Sequence, residues 1–220
     1  MLAPLCALAQ GGATGNDISA AYYAADVARL EQLQGSVAAD TYLAALLDWR
    51  FGSVLSGMGD ANAADVVWQR GQAALERQVD KDPGSARSWA LLSATLGARI
   101  AVKPGPRGMK MGSASGRAGK RAAKLSPEDP FVLMVNGINK YHTPRLFGGG
   151  MKRALRFLDA ALPRLSTADK HLLPDILVWR AQVLHRLERE SACDDLAKAL
   201  DVTPVFVRAQ QLQVEFACSE

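Results

Sequence analysis

The sequence predicts an all-α fold in which antiparallel helix pairs stack into a right-handed α-superhelix. The most informative observation is the spacing of Ala192, Leu196, Ala199 and Pro204 near the C-terminus. Steps of four and three residues bring the first three side chains to one face of a helix, and the proline ends that helix. Small residues on such a face let a second helix approach closely, and the larger residue fills the gap between the two.

Two weaker copies of this spacing occur upstream. They comprise Gly71, Leu75, Gln78 and Pro83 in the first copy and Ala154, Leu158, Ala161 and Pro163 in the second. Self-similarity of this kind is typical of stacked helix-turn-helix arrays. The sequence has no sustained alternation of β-branched residues, which would indicate strands, and aromatic residues make up only 6% of it. The pattern therefore favours closely packed helices over a β-sandwich.

Capping and turn residues divide the N-terminal half into four helices. Asp17 and Asp60 are expected to be the N-cap residues of the first and third helices. Gly35 separates the first helix from the second, and the Lys-Asp-Pro-Gly segment 81–84 ends the third. The four helices are expected over about residues 17–33, 37–55, 61–79 and 86–101.

Three loops rich in proline or glycine mark breaks in the C-terminal half, where six further helices are expected. Segment 103–108 has two prolines and two glycines and is expected to be non-helical. Segments 126–130 and 143–150 also combine prolines or glycines and predict breaks. The six helices are expected over about residues 113–125, 131–141, 151–162, 168–187, 191–200 and 205–217.

The first nine residues predict a signal peptide whose basic front part is missing. This segment is apolar and uncharged, and it ends in Ala7-Leu8-Ala9, the small-x-small pattern that precedes a secretory cleavage site. The alternative is the frayed N-terminus of a cytoplasmic protein. Residues 10–220 are expected to form a single α-helical repeat domain, and no window of 18 apolar residues indicates a transmembrane segment.

The three cysteines leave two possibilities open. If Cys6 is removed with the signal peptide, Cys193 and Cys218 remain as an even number in an oxidising compartment, and they flank an expected helix turn. A disulfide between them is one interpretation, and two partly buried free thiols are the other. Neither the cysteine spacing nor the three histidines indicates a metal site.

Two segments resemble the second helix of a tetratricopeptide repeat with its terminal proline. They are "SACDDLAKALDVTP" at residues 191–204 and "GQAALERQVDKDP" at residues 71–83. Equivalent small positions lie 44, 39 and 38 residues apart at Gly71, Ser115, Ala154 and Ala192, whereas the standard period is 34. The resemblance implies degenerate, lengthened repeats and a scaffold that binds other proteins.

The stretch "YHTPRLFGGGMKRALRFLDAAL" at residues 141–162 carries a second resemblance. It looks like bacterial, often exported, tetratricopeptide-like proteins. Its Pro-x-x-x-Gly-Gly turn and small-residue helix are similar to the periplasmic T-component associated with TRAP transporters. That resemblance implies a small-ligand component of an uptake system and predicts an enclosed apolar pocket.

Charge is strongly segregated along the chain. Residues 83–127 contain nine Lys or Arg and no Asp or Glu, whereas the rest of the chain has 17 basic and 22 acidic residues, from totals of 26 and 22. Such a block predicts attraction to an acidic protein segment, an anionic glycan, a lipid headgroup or nucleic acid, and the alternative is a solvated helix face. Nucleic acid is disfavoured because residues 107–124 contain no aromatic side chain on which a base could stack. The candidate partner-binding residues are Lys110, Arg117, Lys120, Arg121 and Arg145.

Glycine-rich segments do not predict nucleotide binding. Around Gly119-Lys120, a phosphate-binding loop would need glycine at Ala114 and a hydroxyl residue at Arg121. The run Gly148–Gly150 suggests either an anion niche at a helix start or, preferably, a chain reversal that needs unusual backbone angles. No nucleophile or acid–base pair has a recognisable context, so the sequence predicts no catalytic site, no cofactor and no enzyme activity.

These observations together predict an exported, periplasmic or secreted tetratricopeptide-like adaptor. It would hold a segment of a protein partner against stacked helix pairs. The alternative function is the small-ligand-binding periplasmic component, and the alternative location is the cytoplasm.

Overall fold

The computed structural model describes residues 13–103 and 105–218, so the expected signal peptide lies outside the described residues. Within them the protein forms eleven α-helices and three short 3-10 helices, with no strand. The 3-10 helices span Arg145–Phe147, Leu162–Arg164 and Thr167–Leu172. The α-helices are α1 (Gly15–Tyr23), α2 (Val27–Gln34), α3 (Tyr42–Gly57), α4 (Ala61–Lys81), α5 (Ala86–Val102), α6 (Pro106–Leu125), α7 (Pro130–His142), α8 (Met151–Ala161), α9 (Leu173–Arg186), α10 (Ser191–Val202) and α11 (Val207–Glu215).

The helices pair in chain order, which confirms the predicted all-α superhelix of antiparallel helix pairs. The four hairpins are α3–α4, α5–α6, α7–α8 and α9–α10. Their first helices, α3, α5, α7 and α9, also pack against one another in sequence, and we call them the inner row. The second helices, α4, α6, α8 and α10, form the outer row. No helix in the described residues is long and apolar enough to cross a membrane.

The small-large-small spacing occupies the faces where the outer helices meet their partners. Leu75, Leu158 and Leu196 are fully buried, in line with the sequence analysis. The helices approach so closely that a Cβ atom added at Gly137 would lie 2.8 Å from Cγ of Leu158. A Cβ atom at Gly71 would lie 2.9 Å from Cβ of Asp48. The spacing therefore predicts the packing faces correctly, because its small residues lie where the backbones of two paired helices approach each other closely.

The α5–α6 hairpin replaces the large residue of the spacing with a polar contact. The Ser93 hydroxyl donates to the Ser115 carbonyl oxygen at 2.8 Å, and the Ser115 hydroxyl donates to the Ser93 carbonyl oxygen at 2.8 Å. The Asn139 amide donates to the Ser93 hydroxyl at 2.9 Å. At Gly119, a Cβ atom would lie 3.0 Å from that same hydroxyl oxygen. Each buried polar group thus has a partner, as close packing of two small-residue helices requires.

The expected first helix over residues 17–33 is wrong, because the chain breaks into α1 and α2. Ala25 adopts a positive φ of 50°, and the Asp26 side chain accepts a hydrogen bond from the Arg29 amide to cap α2. The expectation that Asp17 is the N-cap residue is also wrong, because Thr14 is the N-cap residue of α1 and Asp17 is the third helical residue, which forms a capping box with it. Turn formation at Ala25 therefore overrides a pattern that is helical on both sides.

The expectation that residues 103–108 are non-helical is also wrong in its second half. The helix α6 begins at Pro106, about two turns before the predicted start. Gly105 takes a φ of 104°, and a proline at the first helical position loses no hydrogen bond, since that amide has no acceptor within the helix. The expected helix over residues 168–187 likewise begins as the 3-10 helix Thr167–Leu172.

The α3–α4 contact provides a test of the close packing. A Cβ atom at Gly52 would lie 2.6 Å from Cδ1 of the Trp68 indole, which is fixed by donation to the Trp49 carbonyl oxygen at 3.1 Å. We expect Gly52→Ala to lower the free energy of unfolding by about 1–3 kcal/mol, as overpacking does. Gly57, the last residue of the same helix, has open space around it. The control Gly57→Ala should leave stability unchanged or raise it by about 0.5–1 kcal/mol in urea titrations. Equal effects of the two substitutions would contradict the packing.

Candidate functional site

The outward face of α6 carries a dense row of cations. Its buried face consists of small residues, among them Ser115, Ala118 and Ala122, so the helix lies close to α5 and leaves its long side chains outside. Within the described residues, none of the exposed Lys and Arg side chains on this outward face of α6 takes part in an ion pair. We call this surface the α6 face, and it comprises the exposed side chains of Lys110, Arg117, Lys120, Arg121 and Lys124.

The five predicted partner-binding residues do not form one site. Arg117, Lys120 and Arg121 lie on the α6 face. Lys110 lies at the N-terminal end of that helix and also lines a cavity of about 450 Å³. Arg145 lies on the 3-10 helix Arg145–Phe147 and lines a different cavity of about 730 Å³, to which α6 contributes no residue. The sequence therefore grouped residues of two separate surfaces.

The smaller cavity contains an ion pair of the protein itself. Arg99 Nε lies 2.8 Å from Oδ1 of Asp65, and both residues line the cavity. Burial alone would raise the pKa of the Asp65 carboxyl, but hydrogen bonds from Arg99 and Gln69 outweigh it and hold the pKa below its usual value. Arg99 and Asp65 thus satisfy each other, and the other two cations that line this cavity are Lys103 and Lys110.

The larger cavity lies where the turn after α7 meets the start of α8. Arg145 packs against Gly150, where an added Cβ atom would lie 2.9 Å from its Cγ. Arg153 Nη1 lies 3.4 Å from the Gly149 carbonyl oxygen. No carboxylate lines the cavity in the described part of the chain. Its lining residues are Arg145, Gly149, Gly150, Met151, Lys152, Arg153, Arg156, Arg186 and Leu187.

The three consecutive glycines form a chain reversal, which was the preferred interpretation of this run. Gly148 and Gly150 have positive φ values of 82° and 110°. At Gly149, any Cβ atom would overlap the Thr143 carbonyl group. The Gly150 amide donates to the Lys140 carbonyl oxygen at 2.8 Å, which returns the chain to α7. Glycine is required at all three positions, for backbone angle at two and for space at the third.

A buried polar cluster inside the superhelix was not predicted from the sequence. Arg50 on α3 makes two hydrogen bonds to Asp175 on α9, at 2.8 and 2.7 Å, with both side chains at most 3% exposed. The Tyr23 hydroxyl lies 2.8 Å from Oδ2 of Asp175 and 2.7 Å from the His171 carbonyl oxygen. The guanidinium carbon lies 4.1 Å from the centroid of the Tyr22 ring, a cation–π contact.

The pKa values in this cluster follow from its burial and its single carboxylate. Burial would lower the pKa of the Arg50 guanidinium, but the charge of Asp175 outweighs this and raises it. Burial and the same carboxylate raise the pKa of the Tyr23 phenol well above its usual value and that of Tyr22 to about 12. The arginine is thus charged and the tyrosines neutral across the physiological range. This buried ion pair lines neither of the two cavities described above, and we regard it as a structural element.

Other titratable groups do not converge on either cavity. Burial raises the pKa of the Asp195 carboxyl to about 6, against the lowering effect of Arg180, but this residue lines neither cavity. Partial burial and the positive charge of Arg186 lower the pKa of the His142 imidazole. Among the described residues, no three His, Cys, Asp or Glu side chains are grouped so that they could hold a metal ion.

The two C-terminal cysteines lie within bonding distance. A disulfide joins Cys193 on α10 to Cys218 just after α11, with the Cα atoms 5.6 Å apart. The bond closes a loop across the α10–α11 turn, where Phe206 is buried against Tyr23 of α1.

Comparisons with known proteins support a tetratricopeptide-like fold. A crystal structure of TTC0263, a thermophilic TPR protein in Thermus thermophilus, matches with a TM-score of 0.53 at 18% sequence identity, and the match covers 87% of each chain. At this identity the likeness shows the fold alone. It confirms the predicted resemblance to tetratricopeptide-repeat proteins. No family model matches the chain, and no curated protein is significantly similar to it.

Two more distant structures are also found. The APC/C hetero-tetramer Cut9-Hcn1 matches at 13% identity over 85% of this chain and 39% of that chain, with a TM-score of 0.38. MamA MSR-1 C2 matches at 15% identity over 91% of this chain and 92% of that chain, with a TM-score of 0.33. The resemblance of residues 141–162 to a TRAP T-component is not supported by these structures.

Proposed function

We propose that this protein is an exported, non-enzymatic adaptor whose α6 face binds an acidic segment of a protein partner. The observation that carries the proposal is a single helix with five exposed cations, none of which has a carboxylate partner in the described part of the chain. Cations that are exposed and unpaired raise the local concentration of an acidic partner and speed its association. The tetratricopeptide-like fold, which often serves protein interaction, agrees with this role.

The location of the α6 face changes the geometry that the sequence suggested. In the inner row, Trp49 of α3 meets Phe131 of α7 edge to face, with centroids 6.3 Å apart, and Arg50 reaches Asp175. The helix α3 therefore contacts both α7, which belongs to the second hairpin after its own, and α9, which belongs to the third. The side chains of these contacts fill the space of a concave groove. A partner segment would accordingly lie along the outer row, where α6 is exposed.

An acidic peptide fits this face better than the other polyanions. No aromatic side chain lies on α6, so a nucleic acid would gain only backbone attraction without base stacking. Arg117, Lys120, Arg121 and Lys124 recur at steps of three, one and three along the helix. These steps keep their charges on one side, where an extended acidic segment could run along the helix.

The alternative, a small-ligand component of an uptake system, calls for an enclosed apolar pocket. Both cavities described above are lined mainly by charged side chains. The lining therefore favours the adaptor, and no feature of the described residues favours the alternative.

Charge reversal tests the α6 face. In the variant Arg117→Glu/Lys120→Glu/Arg121→Glu, we expect affinity for a fluorescently labelled oligoglutamate peptide to fall by about tenfold or more, since each pair at the surface contributes about 0.5–1 kcal/mol. An oligoglutamine peptide measures charge-independent binding. The melting temperature should stay unchanged, because the three side chains are exposed. Fluorescence anisotropy and thermal unfolding provide the two readouts.

The matched control reverses three exposed cations elsewhere, Arg29, Lys170 and Lys198, and changes net charge by the same amount. We expect it to bind oligoglutamate nearly as the wild type does. Equal losses in both triple variants would show that net charge alone attracts the peptide, and that result would refute a specific role of α6. The same pair of variants, used in affinity capture from the native host, identifies which captured proteins depend on this face.

Export is supported by two features outside the α6 face. The disulfide between Cys193 and Cys218 is of a kind that persists in oxidising compartments. The apolar segment 1–9 ends in a secretory cleavage pattern, so the mature chain would begin at Gln10. We propose that the protein is periplasmic or secreted on these grounds.

The redox state of the cysteines gives a direct test. In protein purified from the native host, alkylation without prior reduction should label neither Cys193 nor Cys218 in a peptide mass map. Reduction should lower the free energy of unfolding by about 3.5 kcal/mol, the value expected for cysteines separated by 25 residues. The variant Cys193→Ser/Cys218→Ser should be insensitive to reductant. Full alkylation of both thiols, with an N-terminus at Met1, would instead place the protein in a reducing compartment.

A further inference from the structure

We propose that the surface around the larger cavity binds the phosphate headgroups of an anionic lipid bilayer, with Leu146 and Phe147 inserted among the lipids. This surface, the α8 cavity rim, consists of the 3-10 helix Arg145–Phe147, the start of α8 and the end of α9. The proposal does not depend on the adaptor function, because no residue of α6 belongs to the rim.

Electrostatics supply the first part of the argument. Five cations from three chain segments line one cavity of about 730 Å³, and no carboxylate lines it. Within residues 13–103 and 105–218, none of the five takes part in an ion pair. Five like charges in one place repel each other, so an anion is the ligand that would stabilise them. They are Arg145, Lys152, Arg153, Arg156 and Arg186.

The turn geometry holds two of these cations together. Arg145 lies against Gly150, and Arg153 reaches the Gly149 carbonyl oxygen from the first turn of α8. The guanidinium groups of Arg145 and Arg153 therefore reach the same cavity from opposite ends of the glycine turn. Arg186 enters from the end of α9, with its guanidinium carbon 5.4 Å from the Tyr141 ring centroid. Arginine forks suit phosphate oxygens, to which they donate two parallel hydrogen bonds.

The apolar tip supplies the second, independent part of the argument. Leu146 is 88% exposed and Phe147 is 75% exposed, and both follow Arg145 directly in the chain. Two large, adjacent apolar side chains that are exposed to water at the tip of a turn contribute no burial energy to the fold. Beside five cations they match a bilayer surface, where apolar groups enter the acyl boundary and basic groups meet headgroup phosphates.

The tip also distinguishes a membrane from a soluble phosphate ligand. A free phosphate would occupy the cavity and leave Leu146 and Phe147 as exposed as before. A lipid surface uses both features at once. We therefore commit to the bilayer as the occupant, and inorganic phosphate becomes a competing outcome of the experiment.

The experiment measures co-sedimentation of the full chain with vesicles at physiological ionic strength. We expect binding to vesicles that contain phosphatidylglycerol and little binding to vesicles of phosphatidylcholine alone. Leu146→Ser/Phe147→Ser keeps every charge, yet its partition coefficient should fall by about tenfold or more, the factor equivalent to about 1.4 kcal/mol of lost apolar transfer. Arg153→Glu/Arg156→Glu should lose binding to the anionic vesicles by a similar or larger factor.

Matched controls separate the rim from general charge. Arg29→Glu/Lys198→Glu changes net charge as much as the arginine pair and should bind vesicles nearly as the wild type does. Because the protein has four native tryptophans, the added emission of the single variant Phe147→Trp is obtained by subtracting the wild-type spectrum, and it should shift to the blue on anionic vesicles only. Thermal unfolding of each variant verifies that the fold is retained.

Three results would overturn the proposal. Wild-type binding by the Leu146→Ser/Phe147→Ser variant would show that nothing is inserted. Equal losses in the rim and control charge variants would show attraction by net charge. Saturable binding of inorganic phosphate by isothermal titration calorimetry, without vesicle binding, would assign the cavity to a soluble ligand.

Discussion

The rest of the structure depends on the ion pair between Arg50 and Asp175, which are 125 residues apart in the chain. Taking both charges out of water is costly, and their attraction offsets that cost only if the geometry is good and the other polar atoms are satisfied. The Asp175 carboxylate accepts two parallel hydrogen bonds from Arg50 and a third from the Tyr23 hydroxyl. The Nε atom of Arg50 lacks a partner within the described residues. The pair joins α3 to α9, and the Tyr23 hydroxyl joins α1 to the same carboxylate, so one buried carboxylate holds three helices together.

That arrangement determines which surfaces remain available for binding. Because α3 meets α9 and Tyr23 packs edge to face on Phe206 near α11, the first helix joins the last part of the chain. The inner row is filled by the protein itself, and a tetratricopeptide-like array of this kind exposes its outer helices and turns instead. Two groups of cations that take part in no ion pair within the described residues lie there, on α6 and on the α8 cavity rim. Function on this fold is thus expected from outward charge, while the interior supplies rigidity.

The sequence predicts the packing faces of three outer helices well and the buried contacts between the inner helices poorly, for a physical reason. Leu75, Leu158 and Leu196 follow a local spacing that one helix alone displays, so their burial is visible without knowledge of the partner. Arg50 has no such signal, since its partner lies in a distant helix and a charged residue within an apolar run is compatible with several environments. The break at Ala25 was missed because a positive φ at alanine has no composition signature. The candidate site was predicted as one surface because charge counts along a chain do not show which helix face, or which cavity, a side chain reaches.

The measurement that tests this account most directly is a double-mutant cycle on the ion pair, read by urea unfolding. Asp175→Leu leaves a buried guanidinium without a counter-charge, and we predict a loss of about 3–5 kcal/mol in the free energy of unfolding. Arg50→Met/Asp175→Leu should lose much less than the sum of the two single variants. The exposed pair Arg164–Glu128 is the control, and its removal by Glu128→Ala should cost less than about 1 kcal/mol. Small and additive losses at Arg50 and Asp175 would contradict the account, because they would mean that α1, α3 and α9 are not tied together by this pair.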